Sequence, residues 1–126
     1  MVFSPLHWIP STLAALIILS FVITPNRKHH KALGAAAILL ALLGLAGYIS
    51  AGSFRFFPID LHTFHAWVGF FALALSILLF ADKIFLHAID PGKHCRLGKL
   101  AALLAAVALV VGLLILSGLA PSQTAS

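Results

Sequence analysis

The sequence predicts an all-α integral membrane protein, an up-down-up-down bundle of four transmembrane helices. Three observations predict it: four long apolar runs, a scarcity of charge, and cations gathered on one side of the runs. Hydrophobic residues make up 62% of the 126 residues and charged residues only 9%, against about 25% charged in a soluble domain. Each run reaches the ~20 residues needed to cross a ~30 Å hydrocarbon core as helix.

The first span covers residues 4–24. Ser4 and Pro5 read as a cap and first-turn pair, Pro10 removes one backbone donor and is expected to bend the early turns, and "TPNR" ends the run. The second span covers 28–51 and is broken by "SFRFFP". The third covers 62–87 and stops before "DPG"; the fourth covers 93–119 and stops at "APS". Residues 1–120 are thus expected to form one transmembrane domain, with 121–126 a disordered polar tail. The opening "MVFSPLHWIP" lacks the positive stretch of a secretory signal, so the first span is expected to be retained.

The cations set an orientation. Arg27, Lys28 and Lys31 flank the 1–2 loop, and Lys83, Lys93, Arg96 and Lys99 flank the 3–4 loop, whereas Arg55 stands alone on the opposite side. The positive-inside rule then places the 1–2 and 3–4 loops in the cytoplasm and both termini outside. Net charge +5 is spread between apolar runs and makes no continuous basic face, which argues against nucleic acid as a partner. Membrane lipid is the expected surrounding. The single cysteine, Cys95, excludes an intrachain disulfide, a Cys-rich metal site and covalent c-type haem attachment. The only acids, Asp60, Asp82 and Asp90, fall near interfaces, so no intramembrane carboxylate pair is expected.

The seven histidines carry the functional signal. Each span opens with one: His7, His30, His65 and His94. Four residues on, on the same helix face, each is followed by a small residue: Ser11, Gly34, Gly69 and Gly98. That spacing leaves room for a flat, wide group beside each imidazole, although small residues also serve plain helix packing in membranes. The same test favours His30 over its neighbour His29, which is followed by the bulky Leu33. In an up-down bundle His7 and His65 share the outer half, while His30 and His94 share the cytoplasmic half. Two diagonal histidine pairs result, one toward each face.

Opposed histidines, flat space and no thiol ligand point to bis-histidine haem b, since haem iron takes imidazole as an axial ligand and bundle cofactor sites are built by ligands projecting inward from facing helices. Zinc normally takes three or four protein ligands, and no acid or thiol stands near to complete such a set. Ligands set one or two turns inside the core place the two irons roughly 15–20 Å apart.

Several segments resemble the cytochrome b561 family of dihaem transmembrane oxidoreductases. "DLHTFHAWVG" is similar to its Leu-His-Ser-Trp-x-Gly segment, with Phe64, His65, Ala66, Trp67 and Gly69 in register. "HHKALGAAAILLALLGLAGY" resembles its preceding ligand helix, ending in the Gly-Leu pair Gly44-Leu45. "HCRLGKLAALLAAVALVVGL" resembles its last ligand helix through His94, Gly98 and Gly112, and "LHWIPSTLAAL" matches the first ligand helix at its histidine. The resemblance, from His7 to about Leu116, implies two b haems ligated by helices 1 with 3 and 2 with 4. Family members usually have six helices; this chain has the four that bear ligands. They commonly take electrons from cytoplasmic ascorbate and reduce ferric chelates or monodehydroascorbate outside. The resemblance also puts Arg27 and Lys31 near an anionic donor, and puts His62 where relatives often carry tyrosine.

Other residues join this outline. Gly44 and Gly112 are expected to border a porphyrin, His62, Thr63 and Arg55 to meet propionate or substrate at the outer site, and Phe54, Phe56, Phe57 and Phe64 to cover the outer haem edge or meet lipid. Trp8 and Trp67 read as interfacial anchors. The expected function is transmembrane electron transfer, with ascorbate, quinol or a redox partner subunit as donor. Two alternatives stay open: a haem-bearing anchor subunit of a quinone-linked complex, and a non-redox transporter. Assembly as a homodimer or within a larger complex is also open.

Overall fold

The computed structural model describes residues 5–23, 28–50 and 60–118. They form α1 (Pro5–Ile23), α2 (His30–Ser50), α3 (Leu61–Ala81), a π-helical turn (Asp82–Leu86) continuing α3, and α4 (Pro91–Leu116). No strand occurs among the described residues, and all four spans are long and apolar enough to cross a membrane, the third counted through Leu86. The expectations placed on Arg27, Arg55, Phe54, Phe56, Phe57 and the tail 121–126 lie outside the described residues.

Helix ends follow from side chains that satisfy the leftover backbone groups. The Asp60 carboxylate accepts the Thr63 N–H at 2.9 Å, and the Thr63 hydroxyl oxygen accepts the Asp60 N–H at 2.7 Å. This reciprocal box starts α3 at Leu61, just before the expected residue 62. Asp90 accepts the Lys93 N–H at 3.1 Å, and Pro91 occupies the first turn, where its missing N–H costs nothing. That combination starts α4 ahead of the expected residue 93. Pro10 is buried, and α1 runs helically through it.

The end of the third span departs from a plain helix to residue 87. After Ala81 the helix widens, and the His87 N–H donates to the Asp82 carbonyl at 2.6 Å. His87 takes φ 53°, ψ 31°, a left-handed conformation uncommon in residues with a Cβ. The Asp82 carboxylate holds the turn by accepting the N–H groups of Ala88 at 2.7 Å and Ile89 at 2.9 Å. Asp82 is 3% exposed, so this acid is buried, with backbone donors facing its charge.

Small residues face inward and large ones outward. Ala15 of α1, Ala72 of α3 and Ala105 of α4 form the buried centre, flanked by Ile18, Leu104 and Leu109. Leu39, Leu103 and Val110 are exposed, as suits helices solvated by lipid and packed through small side chains. α1 lies along α2 and α3 along α4 over the most extensive interfaces. The α1–α4 contact is shorter, α2–α3 the shortest, and no backbone contact joins α1 to α3 or α2 to α4 among the described residues. The protein is thus two tight hairpins joined along a thin seam. In the first hairpin Gly47 is indispensable: a Cβ there would stand 2.7 Å from the Leu6 backbone, closer than packed atoms tolerate.

Replacing Asp82 with alanine removes both carboxylate hydrogen bonds from the α3–α4 turn. The expected loss is roughly 2–3 kcal/mol of stability, read from reversible unfolding in detergent; unchanged stability would show that the turn is held by something else.

Candidate functional site

The helix starts bring the histidines together in pairs across the seam. The rings of His7 and His65 lie 6.0 Å apart, centre to centre, with planes at 88°. Those of His30 and His94 lie 6.3 Å apart at 62°. Each pair joins helices that make no backbone contact among the described residues, so each diagonal is bridged at these levels by side chains, the imidazoles among them. His29 is exposed and the ring of His30 is the one that meets His94. The rise from His30 to Gly44, which His7 touches, is about 21 Å along α2, and that from His94 to Gly112, which His65 touches, about 27 Å along α4. The two pairs therefore stand at separate levels along the helices.

Each ring is held by a particular neighbour. The His7 Nδ1–H donates to the Gly44 carbonyl at 3.0 Å, which leaves the lone pair of that tautomer on Nε2. This is the orientation that a carbonyl commonly imposes on a metal-ligating histidine. The His65 ring interacts with the Ala108 backbone and rests on Gly112, where a Cβ would come within 2.9 Å of its Cε1. Its Nδ1 is buried without a hydrogen-bond partner, a cost of about 1–3 kcal/mol if nothing satisfies it. At the other level, the His30 ring packs on Phe21 at 4.5 Å.

The small residues divide into two groups. Cβ positions at Gly69 and Gly98 meet nothing within 4 Å, so space does stand beside His65 and His94. Gly34 makes ordinary contact with Phe80 at 3.7 Å. Gly44 and Ser11 instead pack against each other: a Cβ on Gly44 would collide with the Ser11 hydroxyl and lie 3.0 Å from the His7 carbonyl. Ser11 also lines the central cavity, but Gly44 is not part of that lining; its role is close approach of α1 and α2. Lys31 is exposed. An apolar cavity of about 230 Å³ is bounded by His7, His65, Tyr48, Gly69, Ala72 and Ala105, among others, from all four helices.

Sequence reasoning missed Tyr48. It is 5% exposed and packs between His7, at 4.9 Å between ring centres, and His62, at 5.7 Å. The available signal was its position one turn beyond Gly44 on α2, as the chain's single tyrosine. His62, expected to meet propionate or substrate, is 1% exposed with the Tyr48 hydroxyl 3.4 Å from both ring nitrogens. Thr63, given the same expectation, is wholly buried and serves the α3 cap.

The donor set discriminates between metals. Among the described residues no group of three or more His, Cys, Asp or Glu could hold an ion, so a structural zinc site has no ligands here. Two imidazoles bound in trans to one metal, each nitrogen about 2 Å from it, place their ring centres about 6 Å apart. Both pairs have that spacing, and a porphyrin iron asks for no further protein ligand. The orphaned His65 nitrogen and the open space at Gly69 and Gly98 fit the same group.

Comparison with protein-family models, with curated proteins and with solved structures finds no match to this chain. The burial pattern is directly checkable by carbethoxylation followed by mass spectrometry. His29 and His87, both exposed, react first and His62 last; early modification of His62 would contradict its buried placement.

Proposed function

We propose that this chain is a dihaem b-type cytochrome that carries electrons between the two faces of a membrane. The observation that carries the reading is the pair of imidazole–imidazole spacings, 6.0 and 6.3 Å, at two levels of an apolar bundle. In this reading His7 and His65 hold the outer haem, and His30 and His94 the cytoplasmic one. The contacts of α1 starts with α2 ends, and of α3 starts with α4 ends, support an up-down-up-down arrangement. The cation distribution supports cytoplasmic 1–2 and 3–4 loops, with both termini outside.

A haem bound at each pair would supply a one-electron ferric/ferrous couple. The chain's residues do the rest. Two histidines holding each iron would leave it no open position, which would disfavour small-molecule binding there and favour electron transfer. The Gly44 carbonyl orients His7, and Gly112 gives the His65 ring a seat. Ala15, Ala72 and Ala105 keep the interior between the levels apolar. At the cytoplasmic end Lys31, Lys83, Lys93, Arg96 and Lys99 form a positive surround that would favour approach of an anionic donor. Ascorbate, a quinol or a redox partner subunit are the donors to test, and assembly with a second copy or a larger complex is compatible with the same core. The resemblance to cytochrome b561 proteins agrees with this assignment of ligands.

The test is a reduced-minus-oxidised absorption spectrum with haem quantified per chain. Wild-type protein from haem-replete cells carries two b haems; His65→Ala and His94→Ala each lose one, a different one, and His29→Ala loses neither. A colourless wild-type protein would overturn the proposal. A second variant probes the ring seat: Gly112→Val drives a side chain into His65 and lowers occupancy of the outer haem at least tenfold, while the cytoplasmic haem stays at one per chain. Equal loss of both haems would mean that Gly112 matters only for packing.

A further inference from the structure

Beyond the ligands themselves, the His7–His65 end contains a three-ring stack that the haem assignment leaves unexplained. Tyr48 on α2 sits between His7 of α1 and His62 of α3, its ring tilted 46° to the first and nearly parallel, 26°, to the second. All three partners come from different helices, so the stack ties three of the four spans together at one level. Tyr48 stands one turn from Gly44, and residues at this spacing share a helix face. One face of α2 thus presents the Gly44 carbonyl to His7 Nδ1 and the Tyr48 ring to the flank of the same imidazole. Behind Tyr48, His62 is the most deeply buried large side chain at 1% exposed. A histidine at that depth costs desolvation unless its polar atoms are met, and the Tyr48 hydroxyl lies 3.4 Å from both of its ring nitrogens.

We infer that Tyr48 is a positioning residue for the outer axial ligand: wedged by His62, it sets the rotation of the His7 imidazole and so the near-perpendicular angle between the His7 and His65 ring planes. The hydrogen bond to Gly44 fixes which edge of His7 faces α2 but leaves the ring free to rock about that bond. The Tyr48 ring, tilted 46° against it with centres 4.9 Å apart, restricts that freedom. At the other level the ring that packs on the ligand is Phe21, 4.5 Å from His30 between centres and tilted 46°, and the ring planes of that pair cross at the smaller angle of 62°. The two sites are therefore held in different ways, and Tyr48 distinguishes them.

This inference rests on the dihaem reading, and its test separates the two. The low-spin ferric EPR signal of a bis-imidazole iron depends on the angle between its ring planes. In oxidised full-length protein, the outer signal is identified as the one lost in His65→Ala. Tyr48→Ala shifts that signal and leaves the cytoplasmic one unmoved, whereas Tyr48→Phe, which keeps the ring, retains the wild-type position. Tyr48→Leu fills the space without an aromatic face and shifts the outer signal in the same direction, which covers the case that the alanine variant does not fold. His62→Leu, releasing the wedge from behind, also moves only the outer signal. Variants at Tyr48 that leave the outer signal in place, or that move both signals alike, would overturn the positioning role. Absence of any bis-imidazole signal in the wild type would instead overturn the haem assignment beneath it.

Discussion

Each histidine pair crosses the seam between two hairpins, and the remainder of the structure is arranged around that crossing. α1–α2 and α3–α4 are each closely packed units, joined along a much thinner contact. His7 belongs to the first hairpin and His65 to the second; His30 belongs to the first and His94 to the second. A group bound between the imidazoles at either level would therefore tie one hairpin to the other, and binding to the folded state alone adds stability by mass action. Among the described residues the two diagonals are spanned by side chains alone, since only neighbouring helices meet at the backbone.

The bilayer explains why the halves do not join more tightly unaided. Lipid is as apolar as leucine, so helices gain little by burying large aliphatic side chains against one another and associate through small residues instead. Gly44 with Ser11 and Gly47 with Leu6 bring α1 against α2, and Gly112 under His65 brings α3 against α4. Between the hairpins stand Ala15, Ala72 and Ala105, too small to fill the centre, and the apolar cavity follows. The few polar groups inside are each accounted for by backbone or ring partners: Thr63 in its capping box, Asp82 under the turn to Ala88 and Ile89, His7 on Gly44. The His65 Nδ1 is the exception: it is buried without a hydrogen-bond partner.

Much of this was legible in the sequence because topology constrains it. Four apolar runs with short connections lead the sequence to an expectation of alternate helix starts at opposite ends, in which a histidine at each start meets its diagonal counterpart, and the rings of His7 with His65 and of His30 with His94 do meet. The small residue one turn after each histidine distinguished His30 from His29, and it marked open space at Gly69 and Gly98. The same signal was ambiguous on α1, since a residue small enough to clear a porphyrin is also small enough to receive a neighbouring helix, and Ser11 packs against Gly44 of α2. The helix starts were missed by a residue or two because hydropathy does not register Asp60–Thr63 or Asp90–Pro91 as caps. The π-helical turn had no signal, because a left-handed His87 depends on what the Asp82 carboxylate grips beyond it. Tyr48 was invisible for a similar reason: its place is defined by His7 and His62, residues remote in sequence on two other helices.

The central claim is that each chain holds two irons, each between two imidazoles. Low-temperature EPR of the oxidised wild-type protein, with spins quantified against protein, tests it most directly. The account predicts two distinct low-spin bis-imidazole signals, each at one spin per chain, the more anisotropic arising from the perpendicular His7–His65 pair. A single signal, a high-spin signal at full occupancy, or no signal from protein made with abundant haem would contradict it.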